Sequence, residues 1–103
     1  MTNNRLDVLR GMVASNPHDS FARYGLAMEF VKGGQLQQAA DEFAKLLELN
    51  PQYPAGYFHG GQALEKLGKI DEARALYQQG IGVSKDMGDL HTASELQAAL
   101  DIL

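Results

Sequence analysis

Three histidines, His18, His59 and His91, are the side chains of this sequence best suited to bind a metal. None pairs with another at metal-ligand spacing, and no cysteine is present, so spacing builds neither an imidazole nor a thiolate metal site. The missing cysteine also removes disulfides and a thiol nucleophile. Asp41-Glu42 and Asp71-Glu72 are adjacent acids. Both pairs fall early in helical stretches, where negative charge is favoured, and that role explains them better than paired catalytic carboxylates do. Ser15, Ser20, Ser84 and Ser94 lack a nucleophile-elbow context. Gly33-Gly34 and Gly60-Gly61 lack the Lys-Ser/Thr ending of a phosphate loop. An enzyme needs converging reactive groups. With none in view, the expectation is no catalytic residue, no metal and no cofactor.

The elements that carry these residues come from one compact chain. Its 103 residues suit a single domain, and 45% apolar with 21% charged residues are values of a globular chain rather than a disordered one. The formal net charge is -4, and the basic residues Arg5, Arg10, Arg23, Lys32, Lys45, Lys66, Lys69, Arg74 and Lys85 are scattered among acids. Nucleic-acid binding relies on clustered cations, so nucleic acid is not expected as a partner. No run approaches the roughly 20 apolar residues of a membrane span, and residues 1–7 carry no secretory signal pattern. A soluble cytoplasmic protein without a membrane partner is the expectation.

A shift of 34 residues aligns Pro17 with Pro51, Lys32 with Lys66, Gly34 with Gly68 and Ala39 with Ala73. It also pairs Tyr24 with Phe58, Phe30 with Leu64, Leu36 with Ile70, Phe43 with Tyr77 and Leu47 with Ile81. The apolar pairs carry the argument, because they keep one face buried in both copies. Each copy reads as two helices, over residues 21–32 and 35–49, then 54–67 and 70–84. Gly33-Gly34 and Gly68 end the first helices, Asn50-Pro51 stops one second helix, and Pro54 suits a helical first turn. Flanking helices are expected over residues 5–14 and from about residue 90 to the C-terminus, the latter capped by Asp89 or by the box Thr92-Ala93-Ser94-Glu95.

These intervals resemble the tetratricopeptide repeat, whose motif runs Trp-x2-Leu-Gly-x2-Tyr, Ala-x3-Phe and Pro. The first copy has Arg23-x2-Leu26-Ala27-x2-Phe30, Ala39-x3-Phe43 and Pro51. The second has Tyr57-x2-Gly60-Gly61-x2-Leu64, Ala73-x3-Tyr77, and Lys85 where Pro belongs. Small residues allow close helix crossings, so Ala27 is expected against Ala39 and Gly61 against Ala73. Gly60 stands where the family prefers leucine. The resemblance implies an all-α solenoid of antiparallel helix pairs, a right-handed superhelix of about six helices. It divides one domain, 1–103, into an N-terminal helix (1–16), repeats at 17–50 and 51–84, and a capping helix (85–103). In that register Leu9 and Val13 precede Phe43 and Leu47 by 34, while Arg5 precedes Ala39. The first helix thus matches the second helix of a pair.

In the resembled family, the first helix of each pair lines a concave groove. Carried over by register, the groove holds Phe21, Tyr24, Gly25, Met28 and Lys32, then Ala55, Phe58, His59, Gln62, Glu65 and Lys66, with His18 and Tyr53 at the entering turns. The partner-binding set is Phe21, Tyr24, Met28, Lys32, Tyr53, Phe58, His59, Gln62 and Lys66. Leu26, Phe30, Phe43, Leu47, Leu64 and Tyr77 are expected in the core. Some members clamp a C-terminal carboxylate with Lys and Asn; Tyr24 and Met28 at the matching places imply a more apolar ligand. The implied function is a module that binds a peptide or protein. The alternative is a homodimer through the apolar face or through the C-terminal stripe Leu90, Leu96, Leu100 and Leu103. RNA reading by related hairpin repeats is disfavoured by the acidic balance.

Overall fold

The computed structural model describes residues 4–103, which form six α-helices. They are α1 (Asn4–Ser15), α2 (Ser20–Lys32), α3 (Leu36–Leu49), α4 (Pro54–Lys66), α5 (Ile70–Asp86) and α6 (Leu90–Asp101). Consecutive helices pack on each other in turn; α2 also touches α4, and α4 touches α6. Among the described residues, α3 and α5 do not approach within 8 Å at any Cα. The stack is therefore tight along α2, α4 and α6 and open along the second helices, so α2, α4 and α6 form the concave side. The arrangement is an all-α solenoid.

Local chemistry sets the helix ends. Asp19 Oδ1 accepts from the Ala22 amide at 3.0 Å, and Asp89 Oδ1 accepts from Thr92 at 3.1 Å. Each side chain satisfies an amide that has no partner within the helix. The helix-ending turns use Gly34 and Gly68 at φ +75° and +80°. There Gln35 and Lys69 donate back to Phe30 and Leu64 at 2.8 and 2.9 Å, closing Schellman turns that few other residues tolerate. Asn50-Pro51 stops α3, whereas Lys85 can continue a helix, and α5 runs to Asp86, two residues past the expected end.

The core lies between the two layers. One cluster joins Leu26, Ala27, Phe30, Ala39, Phe43 and Leu46; the other joins Tyr57, Ala73, Tyr77 and Leu96. Leu47 and Leu64 pack on the second cluster half-buried. Gly61 meets the Tyr77 ring: the three atoms nearest an added Cβ all belong to Tyr77, not to Ala73 as expected. At Gly60 a Cβ would lie 3.2 Å from Phe43 Cβ and 3.1 Å from Leu76 Cδ2, so these neighbours fill the place of the family leucine. Glu42 also departs from its expected role. It lies beyond the first turn of α3 and binds Arg23 of α2 at 2.8 Å, with both side chains nearly buried.

Candidate concave recognition surface

α2 and α4 bring Tyr24, Tyr53 and His59 together. The Tyr24 ring lies 5.4 Å from Tyr53 and 5.9 Å from His59, centroid to centroid. His59 stacks on Phe43 at 6.5 Å and meets Phe58 edge-on at 5.2 Å. Edge-on and tilted contacts suit aromatic quadrupoles. The result is an aromatic ridge across the concave side, fixed from below by the buried Phe43. Burial pushes the Tyr24 and Tyr53 hydroxyls above the ordinary tyrosine range, so both stay neutral donors at physiological pH. Burial also lowers the His59 pKa, against a smaller opposing effect from Glu95. The ridge therefore presents uncharged aromatic and imidazole surface near neutrality.

The ridge separates two hollows. One, of about 360 Å³, lies between α1 and α2 and contains Phe21, Tyr24, Met28 and Lys32 beside Leu9 and Met12. The other, of about 390 Å³ and shallower, holds Phe58 and Gln62 of α4 opposite Glu95 and Ala98 of α6 and Ile102 just after it. Lys66 is exposed and lines neither. Glu65 accepts from the Tyr77 hydroxyl at 2.8 Å and so serves the α4–α5 pair. His18 is exposed at the entry to α2.

The nine expected groove residues thus divide among a ridge, two hollows and one outlying lysine. The contributions of Leu9, Met12, Glu95, Ala98 and Ile102 were missed. The 34-residue register of α1 was the available signal for Leu9; the packing of α6 had none of comparable strength. A third depression of about 380 Å³ opens on the opposite side between α3 and α5, with Gly60 and Leu64 on its floor. Among the described residues, no three His, Asp or Glu side chains are grouped to hold a metal, and no helix is long and apolar enough to cross a membrane.

Paired helices at a 34-residue period, with small residues at the crossings, define a helical-repeat scaffold. The model of the tetratricopeptide repeat family matches residues 24–89, and the chain belongs to that family. A tetratricopeptide repeat-containing protein of Pseudomonas aeruginosa is 26% identical, over 92% of this chain and 90% of its own. The solved tetratricopeptide repeat domain protein of Salinibacter ruber is 39% identical, with a TM-score of 0.75 over 80% of this chain and 91% of that one. PcrH, solved in complex with the chaperone binding region of PopD, superposes with a TM-score of 0.89 over 94% of this chain and 74% of its own. At 16% identity that last likeness concerns the fold.

Proposed function

We propose that this protein is a binding module, not an enzyme, and that it holds a peptide or protein segment on the concave side formed by α2, α4 and α6. The observation that carries the reading is the aromatic ridge of Tyr24, Tyr53 and His59 with an apolar hollow on each side. Rigid aromatic surface beside hollows suits recognition, because it buries large area at low entropic cost. Support comes also from PcrH, a protein of the same fold solved with a segment of PopD bound. The buried Phe43 beneath the ridge makes the surface preformed, which reduces the cost of binding.

Tyr24→Ala and Phe58→Ala remove one ridge ring and one hollow wall. Affinity capture with wild-type and variant protein, each checked for helicity by circular dichroism, tests the assignment. Loss of the wild-type interactors by folded variants is expected. If both folded variants retain every interactor, the concave assignment is wrong.

The homodimer is the second reading, motivated by the exposed Leu90 of α6 and Ile102 just after it. Leu96 and Leu100 of the same stripe already pack on this chain's own core. Light-scattering mass before and after truncation at Gly88 separates the two readings. A dimer that persists without α6 removes the exchanged-helix form.

A further inference from the structure

α3 and α5 are each covered on one flank by the first helix of their own pair, α2 and α4. α1 stands in their register, and among the described residues no helix covers the corresponding flank. The seat is visible in the side chains around it. Phe21 of α2 is 77% exposed, and Val8 and Met12 of α1 are 59% and 44% exposed. Gly25 has no side chain to reach this flank, and Leu9 lies against it, 3.1 Å from where a Cβ would stand. The counterpart of Gly25 one repeat on is His59, which Tyr24 of the preceding first helix covers at 5.9 Å. Beside Gly25 the hollow of about 360 Å³ continues between α1 and α2 with an apolar floor of Leu9, Tyr24 and Met28.

The charge at this seat differs from that of the chain. Its mouth holds Arg5 and Lys32 against one carboxylate, Glu29, on a chain of net charge -4. Glu29 is nearly buried and already binds Arg5 at 2.6 Å, while Lys32 is exposed. Arg5 also stands where Ala39 and Ala73 stand in the two repeats, so a helix entering here meets a cation instead of a methyl group.

We propose that the α1–α2 hollow is a docking seat for an amphipathic helix of a partner protein, one bearing carboxylates beside its apolar face. The helix takes the position that the first helix of a pair takes over α3 or α5. The proposal rests on reading the α2 side as a binding surface and specifies the occupant. A second copy of this chain is a poorer occupant. Its terminal helix α6 places Gln97 eight residues past its cap Asp89, where Ala27 and Gly61 follow the caps Asp19 and Tyr53. In an end-to-end stack that amide would meet Arg5 at a crossing built for small side chains.

The test is an NMR titration of the full chain with a synthetic helical peptide of roughly 15 residues, leucine on one face and glutamate elsewhere. A lysine version serves as the control. Expected are shifts at the amides of Leu9, Met12, Phe21, Gly25 and Met28 with the glutamate peptide, weakened by salt and absent with the lysine peptide. Met12→Ser and Phe21→Ser, both at exposed positions, each weaken binding about tenfold or more. No shift with the glutamate peptide, or equal binding of both peptides, overturns the proposal. Shifts confined to Phe58, Gln62 and α6 also overturn it but leave the concave reading standing. Concentration-dependent shifts of the seat in peptide-free protein assign it to a second copy and overturn it as well.

Discussion

Removing Glu42 tests whether a buried ion pair does the work of the tryptophan in the repeat motif. Arg23 occupies the tryptophan position, and its side chain is 8% exposed, against 13% for Glu42. Nη1 donates to Glu42 Oε1 at 2.8 Å, Nη2 donates to the Pro17 carbonyl at 3.2 Å, and Nε is buried without a partner. Breaking such a pair from one side costs about 3–5 kcal/mol, mainly because a charge stays buried alone. The Pro17 carbonyl still holds Nη2, which places Glu42→Ala near the lower end, about 3 kcal/mol. A domain of this size is stable by about 5–15 kcal/mol, so the loss is a large share of the total. Replacing both residues by leucine removes the charge and its desolvation together, and the double variant is expected within about 1 kcal/mol of wild type. Urea denaturation followed by circular dichroism, with equal m-values across the set, measures both quantities. A Glu42→Ala cost below about 1 kcal/mol, or a double variant as damaged as the sum of its singles, refutes the reasoning.

Other substitutions separate competing effects. Gly61→Ala gains roughly 1 kcal/mol of helix propensity yet drives a methyl into the fully buried Tyr77 ring, so net destabilisation of about 2 kcal/mol or more in a urea melt is expected. Gly68→Ala lowers stability by about 1–2 kcal/mol through its φ of +80° alone, since nothing lies within 4 Å of the new methyl. Gly82→Ala, inside α5 with equally open surroundings, raises stability by up to about 1 kcal/mol in the same assay. The depressed His59 pKa means that the unfolded chain binds the proton more readily than the fold does. The neutral-imidazole contribution is therefore full above about pH 6.5 and falls as pH drops toward the lower folded value. His59→Gln should flatten that part of the urea-midpoint profile, and an unchanged profile would assign the slope to other groups.

Helix boundaries were legible where their chemistry is local. Gly34, Gly68, Pro51 and Asp89 each act within a few residues of the end they set. Asp19 was equally local, but the expected start at Phe21 concealed it; α2 begins at Ser20 with Asp19 as its cap. Longer-range partners were not legible. Gly61 was matched to Ala73 because both are small, yet the crossing of α4 and α5 brings the Tyr77 ring to it, and spacing along a chain does not fix a crossing angle. Glu42 read as a charge near a helix start, because nothing in one dimension shows Arg23, 19 residues earlier, beside it. The side of α2 and α4 that carries Tyr24, Phe58 and His59 was expected from the register of the resembled repeat. Its division into two hollows depends on where α1 and α6 dock, and that is set by tertiary packing.

The two ends of the stack carry related departures from the repeat. Between Pro17 and Ser84 the close crossings use Ala27, Ala39, Gly61 and Ala73, and all four are buried. At the corresponding positions outside that span stand Arg5 and Gln97, both exposed. Each is too large for the crossing that another repeat would need. Gln97 is further held by a 2.8 Å bond to Asp101, and Arg5 by Glu29. Polar outer faces are what repeat arrays use to keep their ends from stacking. Arg5 and Gln97 thus disfavour a close crossing with a like repeat, although Val8, Met12 and Phe21 leave apolar surface on the Arg5 side. A surface ill-suited to its own kind but still apolar favours a differently built occupant, one whose carboxylates meet Arg5 and Lys32 while its apolar side covers Phe21.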